Sequence, residues 1–158
     1  MTSRKQRTIR YPVSCTGVGL HTGVQSTVTF NPAPEDFGIK FSRTDKKDAH
    51  VTPDLKHVID LTRGTTIEEK GVKVHTTEHV LSACAGMGVD NLLIELNSKE
   101  PPVMDGSSKD FVQALVDAEI IEQNKKLDMM NNQLKTIKSN TKRGADEAKG
   151  FSDLVTFA

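Results

Sequence analysis

Tryptophan is absent from this chain and tyrosine occurs once, so an aliphatic core is the expectation. Cysteine is scarce too. Cys15 and Cys84 are the only two, which argues against a disulfide framework or a cysteine-based zinc site. Neither sign of charge is in excess. Lys plus Arg and Asp plus Glu both number 21, so the formal net charge is zero. That gives no electrostatic case for nucleic acid or an anionic membrane. No apolar run approaches membrane-spanning length, and residues 1–7 lead into no apolar signal segment. The expectation is a soluble cytoplasmic protein without membrane insertion. Its 158 residues allow one domain with a real core, or a small domain plus a tail.

What is present is alternation. Ile9, Tyr11, Val13 and Cys15 share one face of a strand expected over residues 7–15. Residues 16–23 carry three glycines and predict a tight loop or bulge with positive-φ positions, whose backbone amides could face a phosphate. Val24, Ser26, Val28 and Phe30 alternate again until Asn31-Pro32-Ala33-Pro34 ends the strand. Ile39-Lys40-Phe41 predicts a third strand, residues 44–54 a polar loop, and Leu55 to Leu61 and Gly64 to Ile67 two more strands. Glu68-Glu69-Lys70-Gly71 is a turn and Val72-Lys73-Val74 a short strand. Val80, Ala83, Cys84 and Met87 recur at helical spacing behind Thr76, a candidate N-cap, with Gly86 and Gly88 at the end.

Asn91 to Leu96 predicts a strand, and Pro101-Pro102 interrupts regular structure. Ser107 or Ser108 caps a second helix with Phe111, Val112, Leu115 and Val116 as its apolar stripe, and Ile120-Ile121 starts another strand. The order predicts an α+β two-layer sandwich, a mainly antiparallel sheet with two helices on one face. Composition changes after Gln123. Residues 124–158 are expected to form a separate, polar and partly helical tail, with Leu127, Met130, Leu134 and Ile137 as a narrow seam.

The chemistry-bearing stretch is His75-Thr76-Thr77-Glu78-His79-Val80. His75 and His79 stand i,i+4, on one face of any helix that contains both. The arrangement is not His-Glu-x-x-His, and on residues alone it reads as a polar helix start or as a catalytic cluster. His21 sits in the glycine-rich loop, exposed or beside a site. Asp105 precedes Gly106 in a turn, where it is either structural or a site residue.

Four separated motifs resemble one known set in order. They are Gly17-Val18-Gly19-Leu20-His21-Thr22-Gly23, Thr76-Thr77-Glu78-His79, Gly88-Val89-Asp90-Asn91, and Pro102-Val103-Met104-Asp105-Gly106-Ser107. The chain from about residue 5 to Gln123 is identified as a member of the UDP-3-O-acyl-N-acetylglucosamine deacetylases, zinc hydrolases of lipid A and hence lipopolysaccharide synthesis. Its texture near Ile121-Glu122-Gln123 is similar to Bacteroidetes-type members, some of which carry a fused acyl-carrier-protein dehydratase; no trace of that fusion is visible here.

The resemblance implies that residues 1–123 are an N-terminal deacetylase domain, and that the tail stands where a second domain is expected. It implies zinc as cofactor, His79 as a ligand and Glu78 as general base. His21, Thr65 of the Arg63-Gly64-Thr65-Thr66 loop, and Asp105 are implied to bind substrate or support the site. His75 is not a ligand position in the family. The implied substrate is a UDP-sugar carrying an acyl chain, from which the N-acetyl group is removed. A second deacetylase domain would be needed to complete the metal site, because no histidine follows His79. The alternative is a non-catalytic remnant or binding module that keeps the fold, as a truncated or frameshifted gene would produce.

Overall fold

The computed structural model describes residues 4–123. In chain order the elements are β1 (Arg7–Ile9), β2 (Val13–Val18), β3 (Gln25–Pro32), β4 (Ile39–Arg43) and β5 (Lys46–Val51). A 3-10 turn (Leu55–His57), β6 (Val58–Asp60), β7 (Thr66–Glu69), β8 (Val72–Val74) and α1 (Glu78–Met87) follow. The remaining elements are β9 (Leu92–Leu96), α2 (Lys109–Asp117) and β10 (Ile120–Glu122). The fold is α+β and mainly antiparallel, as the alternation predicts. Its strands divide into three sheets, in the orders β2-β3-β9-β4-β5, β6-β7-β8 and β1-β10.

Period-two alternation fixes the register of the largest sheet. Val13 pairs with Phe30, Phe30 with Ile94, Ile94 with Phe41, and Phe41 with Val51, so one apolar row crosses all five strands. Four of these five residues are fully buried, and only Val13 is partly so. α1 and α2 pack against each other and add Val80, Ala83, Cys84, Phe111, Ala114 and Leu115 to the same core. Phe111 meets Phe30 edge to face at 6.2 Å. Burying each such ring contributes roughly 1.5–3 kcal/mol.

Several local expectations are corrected. The strand over residues 7–15 breaks at Pro12, which has no N–H for a ladder. Its first part pairs with β10, its second with β3, and Tyr11 between them is exposed. Residues 44–54 contain a strand, because Val51 buries against Phe41 at the sheet edge while Lys46 keeps that edge charged. Most of the expected Leu55–Leu61 strand is the 3-10 turn followed by the short β6. In the glycine-rich loop only Gly23 takes positive φ, and Thr16 to Val18 belong to β2. Thr76 is not the N-cap: the helix begins at Glu78 behind Thr77, and Thr76 sits at φ +53. Ser108 precedes α2 without a side-chain cap bond, and Ser107 Oγ accepts the Lys109 amide instead. Gly88 does end α1 in the left-handed conformation, where the Arg7 guanidinium donates to the carbonyls of Met87 and Gly88. The expected tail lies outside the described residues.

Asn91, 1% exposed, ties the two ends of the described chain together. Its amide nitrogen donates to Gln6 Oε1 and Gln123 Oε1, and its oxygen accepts the Gly38 amide, each at 2.7 Å. Gln123 in turn donates to the Ala33 carbonyl. Asn91→Ala leaves buried groups unpaired and is expected to cost about 2 kcal/mol or more of unfolding free energy. Denaturant unfolding checks this; a change within experimental error would show that the cluster is not a staple.

Candidate active site

The Glu78 side chain is held by a loop outside its own helix. α1 starts without a side-chain cap, because the Thr77 hydroxyl and amide both donate to the Thr65 carbonyl, each at 3.2 Å. That clips the loop after β6 to the helix start. The Thr65 amide then donates to Glu78 Oε2 at 2.9 Å. Gly64 between loop and helix has φ +146, and a Cβ there would stand 3.0 Å from Glu78 Oε1. Only glycine fits both the backbone and the approach.

His21 joins the same loop from the other side. Its Nε2 donates to the Arg63 carbonyl at 2.8 Å. The structure therefore brings His21, Thr65 and Glu78 together through Arg63-Gly64-Thr65. His79 lies beside Glu78 in the first helical turn, part-buried, and its ring makes no hydrogen bond or ion pair among the described residues. Asp105 is elsewhere in the bonding pattern. Its Oδ1 accepts the Ser107 hydroxyl and amide, bonds that hold its carboxyl below the usual value and stabilise the turn into α2.

His75 and His79 share no helical face, because α1 begins only at Glu78. His75 instead donates its amide to the Lys99 carbonyl, and its Nδ1 lies 3.1 Å from Thr66 Oγ1. Burial holds its imidazole below the ordinary histidine value; Lys73, Lys99 and Arg43 push the same way and Glu100 opposes them. His75 and His21 both line a cavity of about 340 Å³ with Thr22, Asp60, Thr62, Arg63, Gly64, Thr66 and Thr76. Gly64 lines this cavity and lies close to the Glu78 carboxylate.

The residue the sequence did not reveal is Glu100. It is fully buried. Its carboxylate accepts the His21 amide at 3.1 and 3.2 Å, the Thr22 amide at 2.9 Å and the Thr76 hydroxyl at 2.7 Å. The loop amides expected to face a phosphate are thus occupied by an internal anion. Burial pushes the Glu100 carboxyl up, but the bonds from Thr76, Thr22 and His21 outweigh it and hold it below the ordinary glutamate value. Standing between Lys99 and Pro101, it belongs to no periodic pattern that would mark it.

Among the described residues the donor set for a metal is incomplete. Among the described residues no three His, Cys, Asp or Glu side chains gather into a metal-holding group. His79 is one nitrogen donor where a catalytic zinc uses three protein ligands.

Residues 6–149 match the family of UDP-3-O-acyl N-acetylglycosamine deacetylases, and the chain belongs to that family. The match runs past Gln123, into residues outside the described part. The chain is 55% identical over 119 residues to the bifunctional enzyme LpxC/FabZ of Chlorobaculum tepidum, covering 75% of this chain and 26% of that protein. It is 47% identical over 122 residues to the UDP-3-O-acyl-N-acetylglucosamine deacetylase of Xanthomonas campestris, covering 77% and 40%. The enzyme of that name from Neisseria meningitidis is 46% identical over 123 residues, covering 75% and 40%. The chain thus spans between about a quarter and two-fifths of the length of these curated relatives.

Gly64→Ala tests the close approach to Glu78. Forcing a Cβ onto φ +146 against a carboxylate oxygen is expected to cost about 2 kcal/mol and to break the Thr65 bond. Denaturant unfolding and the Thr65 amide resonance read both effects; an unchanged resonance would show that Glu78 is not held by this loop.

Proposed function

We propose that this chain contributes the Glu78–His79 part of a zinc-dependent deacetylase that removes the N-acetyl group from a UDP-3-O-(3-hydroxyacyl)-N-acetylglucosamine in lipid A synthesis. The observation that carries the reading is the aimed carboxylate. Glu78 has one oxygen fixed by the Thr65 amide and stands beside His79, in a chain of this deacetylase family.

In the reaction water adds to the acetamide carbonyl, the C–N bond breaks, and acetate and the free amine leave. Glu78 takes the proton of the attacking water on its carboxylate. Thr65 keeps that carboxylate oriented, and His21 braces the loop that carries Thr65. His79 would supply one ligand to a zinc, which would polarise the carbonyl. The described residues do not gather a full ligand set, and this reading assigns the other ligands and the acid that protonates the amine to a second deacetylase domain. Residues 1–123 are then the N-terminal domain, and residues 124–158 keep an unassigned role. Asp105 supports the site through its turn rather than by contact with Glu78. The reading places the enzyme in the cytoplasm, acting on a UDP-sugar; no helix of the described residues is long and apolar enough to cross a membrane.

One observation favours a second reading, a binding module that keeps the fold without turnover: the absence of a three-ligand metal group among the described residues.

Complementation separates the two. With the second domain of a full-length relative supplied in cis or in trans, zinc content and acetate release are both expected to appear. Glu78→Gln should then lower turnover by about 10²–10⁴-fold with zinc retained, while His79→Ala should lower zinc content itself. Atomic absorption and acetate release measure these. Ordinary turnover by the 158-residue chain alone would overturn the shared-site reading; zinc binding without acetate release in the complemented protein would favour the binding module.

A further inference from the structure

We infer that Glu100 is a positioning residue: its buried carboxylate ties the loop carrying His21 to the turn that aims Glu78, so the spacing of these two site residues depends on it. The inference rests on the reading of Glu78 as the working carboxylate.

Three chain segments meet at Glu100. From the first, the amides of His21 and Thr22 donate to its carboxylate. From the second, Ser26 of β3 donates its hydroxyl to the Glu100 carbonyl at 2.5 Å. From the third, Thr76 donates its hydroxyl at 2.7 Å, and His75 one residue earlier donates its amide to the Lys99 carbonyl at 2.8 Å. Residues 99 and 100 therefore clip a loop, a strand and the helix approach to one point.

Two backbone positions, Thr76 and Gly19, lie directly against the carboxylate. Thr76 is β-branched, buried and at φ +53, a conformation that costs free energy and persists where surroundings impose it. The bond to Glu100 is that constraint, and Thr77 and Glu78 follow directly. Gly19 has no positive φ, yet a Cβ there would fall 2.3 Å from Thr22 Oγ1 and 2.6 Å from Glu100 Oε2. Glycine at this position lets the turn closed by Gly19, Gly23 and Val24 lie close against the Thr22 hydroxyl and the carboxylate.

A residue that only stabilised the fold would, when replaced, lower stability without moving distant site bonds. Glu100 as a positioning residue predicts movement at Thr65 and His21. Both bonds can be read by nitrogen-15 NMR on the 158-residue chain, without metal, substrate or turnover. The variants are Glu100→Gln, Thr76→Val, which keeps the shape and loses the hydroxyl, and Thr76→Ser, which keeps the hydroxyl. In Glu100→Gln and Thr76→Val, the Thr65 amide and His21 Nε2 resonances should shift together. Hydrogen exchange at the Thr65 amide should speed up about tenfold, as expected for a weakened hydrogen bond. Thr76→Ser should keep the native values, and the Asn91 side-chain resonances should stay unchanged in all three. If Glu100→Gln does not fold, Thr76→Val decides alone. A folded Thr76→Val protein with native Thr65 and His21 signals overturns the inference. Acetate release plays no part in these readings, so loss of the deacetylase reading would leave this result standing, and the reverse.

Discussion

Burying an ionised carboxylate is costly unless its oxygens are bonded. Glu100 meets that condition with two backbone amides and one hydroxyl, drawn from both sides of the site. The bonds have directions, so satisfying the charge also fixes where the donors stand. His21 is placed by its amide, which leaves its ring to meet the Arg63 carbonyl. Thr76 is placed by its hydroxyl, which sends the chain into α1 with Glu78 first. The loop between them, Arg63 to Thr65, closes the ring of contacts onto Glu78. One buried charge thus organises a site that it does not line.

The core beneath supplies a rigid base for this arrangement. The apolar row from Val13 to Val51 crosses five strands, and α2 seats Phe111 on Phe30. Ser26 on β3 and Leu96 at the end of β9 bring that sheet close to Glu100. Asn91 and Gln123 close the opposite end by polar contacts. The core and the polar clusters divide the labour: apolar rows set strand order, and buried polar residues set how the connecting segments leave the strands.

This division explains what could be read from residues alone. Strands β3, β4 and β9 and both helices declare themselves, because burial on one face imposes a period on the sequence. Glu78 and His79 are legible as a pair and gain meaning through the motif that surrounds them. β5 is not, since an edge strand of Lys46, His50 and their neighbours has little reason to alternate. Glu100 is invisible for a related cause. Its partners lie 24 to 79 residues away and are mostly backbone amides, which carry no residue identity. Thr76 misleads, because Thr before a helix usually caps it, whereas here its hydroxyl turns inward to Glu100. Gly19 stands in the turn and is a contact glycine as well, close against Thr22 and Glu100.

The most direct test is the ionisation of Glu100 itself, followed through its side-chain carboxyl carbon by NMR as pH falls. A carboxyl held below its ordinary value stabilises the fold above that value and loses the contribution as pH drops through the folded one. The account predicts that Glu100 stays ionised below 4.5, its ordinary value, while the core remains folded. The His21 and Thr22 amide signals should then move only as Glu100 takes up its proton. Protonation of Glu100 at or above 4.5, or protonation that leaves the His21 and Thr22 amides unmoved, would contradict it.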